Sequence, residues 1–265
     1  MFDYRACIED NFSIVNKAGQ IVPFKYNVIQ AANDEDESGK DVVLKARKQG
    51  FSSKILARYT CDFIFRANSR SVIVADNKDN AIALLDRVKF FIQSYEAKNE
   101  IPIPLKYNSK YELVNAALNT RYFVGTAENA EFGRSQDITN LHFSEAAFYA
   151  NFDKLRASAL QATVENAHVV VETTANGFNQ FKTFWDDSKK GLTGFKPLFY
   201  KASRFYSAEF LEAKRKELKR TFPQEYPETD MEAFLTSGET YFEKDALTAY
   251  MLQAHEPTKE HLIYA

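Results

Sequence analysis

The sequence predicts an α/β protein built on a mainly parallel sheet flanked by helices. Three observations carry this. The runs DVVLKA (Asp41–Ala46), SVIVA (Ser71–Ala75) and AHVVVET (Ala167–Thr173) are short and apolar at their centres, as strands buried on both faces are. Stretches of helical period lie between them. Strand and helix alternate along the chain, the order that brings parallel strands back to one sheet.

Taken in order, Asn33–Lys40 (NDEDESGK) is polar and acidic and reads as a loop before the first strong strand. After Asp41–Ala46 a helix is expected from about Ser53 to Arg66. Ser71–Ala75 is the second strand. Asp79–Lys98 is a long amphipathic helix, with Ala81, Leu84, Leu85, Val88, Phe91 and Ile92 along one face. Residues 111–127 read as two strands with a turn near Asn119, Ile138–Phe143 as another strand, and Ala146–Ala162 as a helix. Ala167–Thr173 leads into a helix over Gly177–Lys189. The tail differs: one strand candidate (Lys196–Tyr200), a charged helix (Ala208–Lys219) and a Pro-containing loop (Phe222–Thr229). The expected division is therefore a core over 1–190 and a small C-terminal subdomain over 191–265.

Composition narrows the function classes. A chain of 265 residues, 45% hydrophobic, is long enough for one large α/β domain with an appendage. The formal net charge of −2 means that any nucleic-acid contact must come from a local patch. Cys7 and Cys61 show no metal-type spacing and read as reduced thiols, and the four His are scattered, which argues against a zinc site. No run approaches the roughly 18 apolar residues of a membrane span. Asp3, Arg5, Glu9 and Asp10, with no apolar h-region, argue against a signal peptide.

The stretch Lys45–Lys54 (KARKQGFSSK) lies directly after a strand and directly before a helix, where a phosphate-binding loop belongs. Backbone N–H groups converge there and the helix dipole favours an anion. Gly50 permits close backbone approach, and Ser52 offers a hydroxyl to Mg²⁺. The pattern G-x-x-x-x-G-K-[ST] is not met, because Ala46 occupies its first Gly position and Phe51 its Lys position. Lys45 is the first choice to reach the β- and γ-phosphates, with Arg47 or Lys48 as alternates. A basic surface turn would show the same residues.

Ile138–Tyr149 (ITNLHFSEAAFY) is a strand ending in Ser144-Glu145. Glu145 is placed to act as general base on a water, and Ser144 to hydrogen-bond a Mg²⁺-bound water. A helix-capping Ser with Glu in the first turn would look alike. Arg134, in the loop FGRSQD, is placed to neutralise charge on a γ-phosphate, in its own subunit or a neighbour's. Thr173, Thr174, Asn176 and Gly177 follow a buried strand; they suit a γ-phosphate sensor and equally an ordinary turn.

In this order, these segments resemble the large terminase subunit of tailed bacteriophages, from about residue 12 to 243. IVPFKYNVIQ resembles the adenine-recognition segment, with Gln30 as its Q-motif residue. KARKQGFSS resembles the deviant Walker A loop, whose Lys45, Arg47, Lys48, Gln49, Gly50, Phe51, Ser52 and Ser53 would surround the nucleotide. FGRSQDITNLHFSEAAFY resembles the arginine finger and Walker B strand, with Arg134 and Glu145 as catalytic residues. There Ser144 stands where the family's acid does, so Ser52 and Ser144 would serve the metal. TTANG (Thr173–Gly177) resembles the coupling motif, and FPQEYPETDMEAFLTSGETYFE the lid.

The resemblance implies a P-loop NTPase fold of the ASCE/RecA-like kind with a lid/linker subdomain, and an ATPase core over 1–190. It implies ATP and Mg²⁺ as cofactors and translocation of double-stranded DNA into a procapsid. It implies a portal protein and a small terminase subunit as partners. The assembled form would be a homo-oligomeric ring, the isolated chain a monomer, with no membrane. The place of action would be the host cytoplasm, at the procapsid vertex. The nuclease domain is absent from this stretch, so no DNA cleavage is expected of it. The rival expectations are a helicase-like translocase and a nucleotide- or DNA-docking module without turnover.

Overall fold

A computed structural model describes residues 2–127 and 137–235. The chain opens with helix α1 (Tyr4–Asn11), started by the Asp3 side chain accepting from the Ala6 amide. A two-stranded antiparallel ribbon follows, β1 (Ser13–Val15) and β2 (Ile21–Pro23). Helix α2 (Val28–Asp36) begins with a reciprocal capping box. The Asn27 side chain accepts from the Gln30 amide, and Gln30 Oε1 accepts from the Asn27 amide.

The sheet proper starts with β3 (Lys40–Lys45), continues through α3 (Phe51–Phe65), β4 (Arg70–Ala75) and α4 (Lys78–Asn99), and enters the hairpin strands β5 (Leu105–Asn108), β6 (Glu112–Asn115) and β7 (Thr120–Thr126). After 128–136 come β8 (Ile138–Ser144), a single 3₁₀ turn (Ala146–Phe148), α5 (Phe152–Leu160), β9 (Thr163–Thr173), α6 (Gln180–Lys189) and β10 (Lys196–Tyr200). The described chain closes with a 3₁₀ turn (Ala202–Arg204), α7 (Ala208–Leu218), a further 3₁₀ turn (Lys219–Thr221), α8 (Phe222–Glu225) and α9 (Asp230–Leu235).

Eight of these strands form one sheet in the order β10-β3-β9-β8-β4-β7-β6-β5. β10 through β7 run parallel, and β6 and β5 add an antiparallel edge. The mainly parallel, helix-flanked sheet expected from the sequence is thus present. Alternate residues of the central strands point to opposite faces. Val43, Ile73 and Val170 join α1, α3 and α4 in one core, while Val42, Leu44, Val72, Val74, Val169 and Val171 join α5 and α6 in the other. Burial on both faces explains why the centres of these strands read as apolar runs. β3 is followed in sequence by β4, yet β9 and β8 lie between them. The C-terminal ends of β3, β9 and β8 therefore share one crevice, the usual location of a ligand in such sheets.

Several expectations change. The acidic stretch is no simple loop: Asn33–Asp36 complete α2, because the buried Lys54 ammonium donates to Asn33 Oδ1 (2.9 Å) and Glu37 Oε2 (2.8 Å). The helix expected over Ala146–Ala162 is split. Tyr149 is extended, and its hydroxyl donates to the Val74 and Ser144 carbonyls (2.7 and 3.0 Å). The helix expected from Gly177 starts at Gln180, where the Asn179 side chain caps it. Phe222–Glu225 is a short helix, with Pro223 in its first turn. Lys196–Tyr200, which lies past the expected boundary at 190/191, is the edge strand of the same sheet, paired in parallel with β3. The two thiols are free, with Cys61 Sγ 3.0 Å from Cys7 Sγ.

Candidate functional site

The loop from β3 to α3 is shaped by two left-handed residues, Lys48 (φ 58°) and Gly50 (φ 86°). Gly50 is the N-cap of α3 and supplies no side chain, so the first-turn amides are left uncapped toward the crevice. A Cβ at Gly50 would also lie 2.8 Å from Gln30 Nε2. Gln30 is 3% exposed and both ends of its carboxamide are engaged. Oε1 accepts from the Asn27 amide, and Nε2 donates to the Gly50 carbonyl at 2.8 Å. Asn27 Nδ2 donates to the Gln49 carbonyl at 3.1 Å. Helix α2 thus splints the loop through Asn27 and Gln30.

Three strand ends converge beside this loop. Lys45, the last residue of β3, is 4% exposed; its Nζ lies 3.0 Å from Glu145 Oε1 and 3.2 Å from Glu172 Oε2. Glu145 follows β8 in a left-handed conformation (φ 58°). Its amide donates to the Glu172 carbonyl at 2.8 Å. Its Oε2 accepts from the Thr174 amide at 3.1 Å and the Thr173 hydroxyl at 3.3 Å. The carboxylate is thereby held at the mouth of the crevice, with about a third of the side chain exposed.

Glu172, the penultimate residue of β9, is fully buried and was not singled out from the sequence. Its Oε1 accepts from Ser52 (2.7 Å) and Ser144 (3.1 Å) and lies 3.2 Å from His142 Nε2. The shared carboxylate implies that His142 carries its proton on Nε2. Oε2 faces the Lys45 ammonium outside hydrogen-bond geometry and has no other partner. Burial opposes ionisation of Glu172, but the Lys45 charge and the His142 and Ser52 hydrogen bonds outweigh it and hold the carboxyl well below its ordinary range. Burial likewise opposes charge on Lys45, and the Glu172 and Glu145 carboxylates reverse this, holding the ammonium above its usual value. The sequence signal was a lone acid at the end of a valine run, VVVET.

The remaining residues sort by position. Phe51 turns its ring against Tyr200 (centroids 5.1 Å apart) and is 1% exposed, so what it offers the crevice is backbone. Ser53 Oγ accepts from Arg87 Nη1 at 3.2 Å. Gln49 Nε2 donates to the Lys201 carbonyl at 3.3 Å. Arg47 is tied to the C-terminal segment. Its amide donates to the Glu225 carbonyl (2.9 Å), Nη1 pairs with Glu225 Oε2 (2.9 Å), and its carbonyl accepts from the Tyr206 hydroxyl (2.7 Å). Lys48 is exposed at the crevice rim. Asn176 Nδ2 donates to the Ala147 carbonyl at 3.2 Å, and Gly177 is left-handed (φ 67°), which only glycine adopts at little cost. Arg134 lies outside the described residues.

Beside the loop opens a cleft of about 770 Å³, in which Gly50, Ser52, Lys45 and Glu145 face one another, joined by Asp76, Asn80 and Arg87 from the α4 side; Glu172 is buried behind Ser52. That volume suits a nucleotide-sized ligand. The donor set also fits magnesium. The hydroxyls of Ser52 and Ser144 and an ionised carboxylate are hard oxygens, each hydroxyl within 3.1 Å of the same carboxylate oxygen, and Mg²⁺ takes few protein ligands besides phosphate and water. Among the described residues no three His, Cys, Asp or Glu side chains form a metal cage.

No protein-family model matches this sequence, and no curated protein matches it. The fold does match solved structures. The ATPase domain of the Thermus phage P74-26 large terminase superposes with a TM-score of 0.60 at 18% identity, over 77% of this chain and 93% of that one. The HK97 bacteriophage large terminase gives 0.64 at 15%, over 88% of this chain and 55% of that one. The large terminase of a thermophilic bacteriophage, in complex with ADP, gives 0.52 at 10%, over 75% and 51%. This chain thus spans about half the length of the latter two. At these identities the likeness is one of fold.

Proposed function

We propose, from the fold shared with phage large-terminase ATPase domains, that this chain is the ATP-hydrolysing motor domain of a viral DNA-packaging terminase. One observation carries it: Lys45, Glu145 and Ser52 converge on one cleft at the C-terminal ends of β3 and β8, beside the Gly50 turn. ATP lies with its phosphates over the α3 N-terminus and the Lys45 ammonium. Magnesium, when bound with it at Ser52 and Ser144, neutralises charge on the β- and γ-phosphates.

Glu145 is the general base. Its carboxylate takes a proton from water as the water oxygen bonds the γ-phosphorus and the bond to the β–γ bridging oxygen breaks, leaving ADP and phosphate. In the described arrangement Lys45 holds Glu145 at 3.0 Å. A γ-phosphate competes for that ammonium and frees the carboxylate for its task. Arg134 adds positive charge from its own or a neighbouring subunit. Thr173, Thr174, Asn176 and Gly177 report the state of Glu145 to the rest of the molecule, since Thr174 donates to its carboxylate. The segment after β10 is the lid. It touches both sides of the site: Glu225 holds Arg47, and Gln224 Nε2 donates to the Ala175 carbonyl at 2.9 Å. The motor so built moves double-stranded DNA into a procapsid, as a ring on a portal protein with a small terminase subunit, in the host cytoplasm.

Phosphate release measured at rising protein concentration tests this. Turnover that increases per subunit supports a ring with an arginine in trans. ATP binding without turnover at any concentration, even with portal and DNA present, would instead support a docking module.

A further inference from the structure

The β8 strand ends in Ser144-Glu145, so it brings a base but no second acid. A hydroxyl can orient a metal-bound water but adds no charge. A doubly charged cation beside a triphosphate calls for an anionic protein group close to the loop hydroxyl. Such a group is present on the neighbouring strand. Parallel pairing sets Ser144 opposite Glu172, and Glu172 points to the α3 side of the sheet, as His142 and Ser144 do. It reaches the Ser52 hydroxyl at 2.7 Å.

We infer that Glu172 is the anionic member of the magnesium shell, supplied from β9 in place of an acid on β8. This rests on the ATPase reading above and deepens it. Glu172 acts through the Ser52 and Ser144 hydroxyls, from which its Oε1 accepts, and metal-bound water, while its Oε2 faces the Lys45 ammonium at 3.2 Å. A counter-ion for Lys45 alone would need neither serine. Lys45 already has Glu145, whereas Ser52 and Ser144 share this one carboxylate oxygen. The acid has moved one strand across without leaving the place where its charge is needed.

The test compares affinity for a fluorescent ATP analogue with Mg²⁺ and with EDTA, and follows Mn²⁺ by EPR in the nucleotide complex. Glu172→Gln keeps the shape and loses the charge. It is expected to lose the Mg²⁺-dependent gain in affinity by about 10–100-fold, the range for partners that act behind a metal's direct ligands, read as the ratio of the Mg²⁺ and EDTA affinities so that any effect through Lys45 cancels. The bound Mn²⁺ signal should weaken in parallel. A second variant, Ser144→Asp with Glu172→Thr, returns the acid to β8 and should recover the metal dependence; it also decides the matter if Glu172→Gln fails to fold. An unchanged Mg²⁺ gain in Glu172→Gln, or a double variant that folds but stays metal-independent, overturns the inference. Wild-type protein that binds no nucleotide in either condition defeats the ATPase reading instead.

Discussion

Lys45 Nζ and Glu145 Oε1 stand 3.0 Å apart although the two residues are 100 positions apart in the chain. The contact joins the strand before the Gly50 turn to the end of β8, and Glu172 completes the group from β9 at 3.2 Å. Its consequences can be measured residue by residue.

Glu145→Gln should separate binding from chemistry. The amide keeps a hydrogen bond to the Thr174 amide but cannot take a proton. Phosphate release should fall about 10²–10⁴-fold, the usual worth of a positioned base, while ATP-analogue affinity changes by no more than about twofold. Wild-type turnover in this variant would put the base elsewhere.

Lys45→Met should destabilise the protein, because it leaves Glu172 buried and ionised without its cation. Removing one partner of such a pair costs about 3–5 kcal/mol. Glu145 adds little to that figure, since its carboxylate is partly solvated. The double variant Lys45→Met with Glu172→Gln should regain most of the loss in urea unfolding, yet bind nucleotide no better. Additive losses in the double variant would mean that the two side chains are not coupled.

Stability should fall away at both ends of the pH range. Glu172 has a folded-state pKa below the ordinary 4.5, so its contribution is complete above about 4.5 and is lost as pH drops toward the lower folded value. Lys45 is raised above 10.5, so its contribution is present below 10.5 and is lost as pH rises through the higher folded value. Glu172→Gln should flatten the acid limb between roughly pH 3 and 4.5 by up to about 1.4 kcal/mol per pH unit, the slope of one proton. Urea midpoints across that range provide the check.

Gly50→Ala should weaken the loop. A left-handed alanine costs about 1–2 kcal/mol, and its methyl would meet Gln30 Nε2 at 2.8 Å, displacing the splint from α2. We expect a lower melting temperature and a loss of nucleotide affinity together. Unchanged affinity would show that the loop backbone does not contact the phosphates.

Phe222→Ala should detach the C-terminal segment before the sheet. Phe222 and Tyr226 form a small core with Ala46 and Ala202, and removing a buried Phe costs about 3–5 kcal/mol. Amide exchange at Arg47, whose N–H donates to the Glu225 carbonyl, should rise, while exchange in β8 and β9 stays slow.

The sheet was legible because strands buried on both faces carry apolar runs at their centres, as Val42–Leu44 of β3, Val72–Ala75 of β4 and Val169–Val171 of β9 do. The turn at Gly50 was legible too, as a glycine between a strand and a helix with basic residues and a serine around it. α2 was missed because its acidic residues suit solvent as well as they suit Lys54, which arrives from α3. β10 read as part of an appendage because its place beside β3 is a long-range pairing with no local signature.

By itself, then, the sequence determined the central strands, the helices α3 and α4 that follow the first two of them, and the glycine turn after β3, since periodicity and glycine placement act over a few residues. Only the tertiary structure decided that Glu172 lies buried behind Ser52 and Lys45 and that Gln30 holds the loop. Both follow from strand register and helix docking, which bring together side chains from distant segments whose neighbours in sequence carry no trace of the meeting.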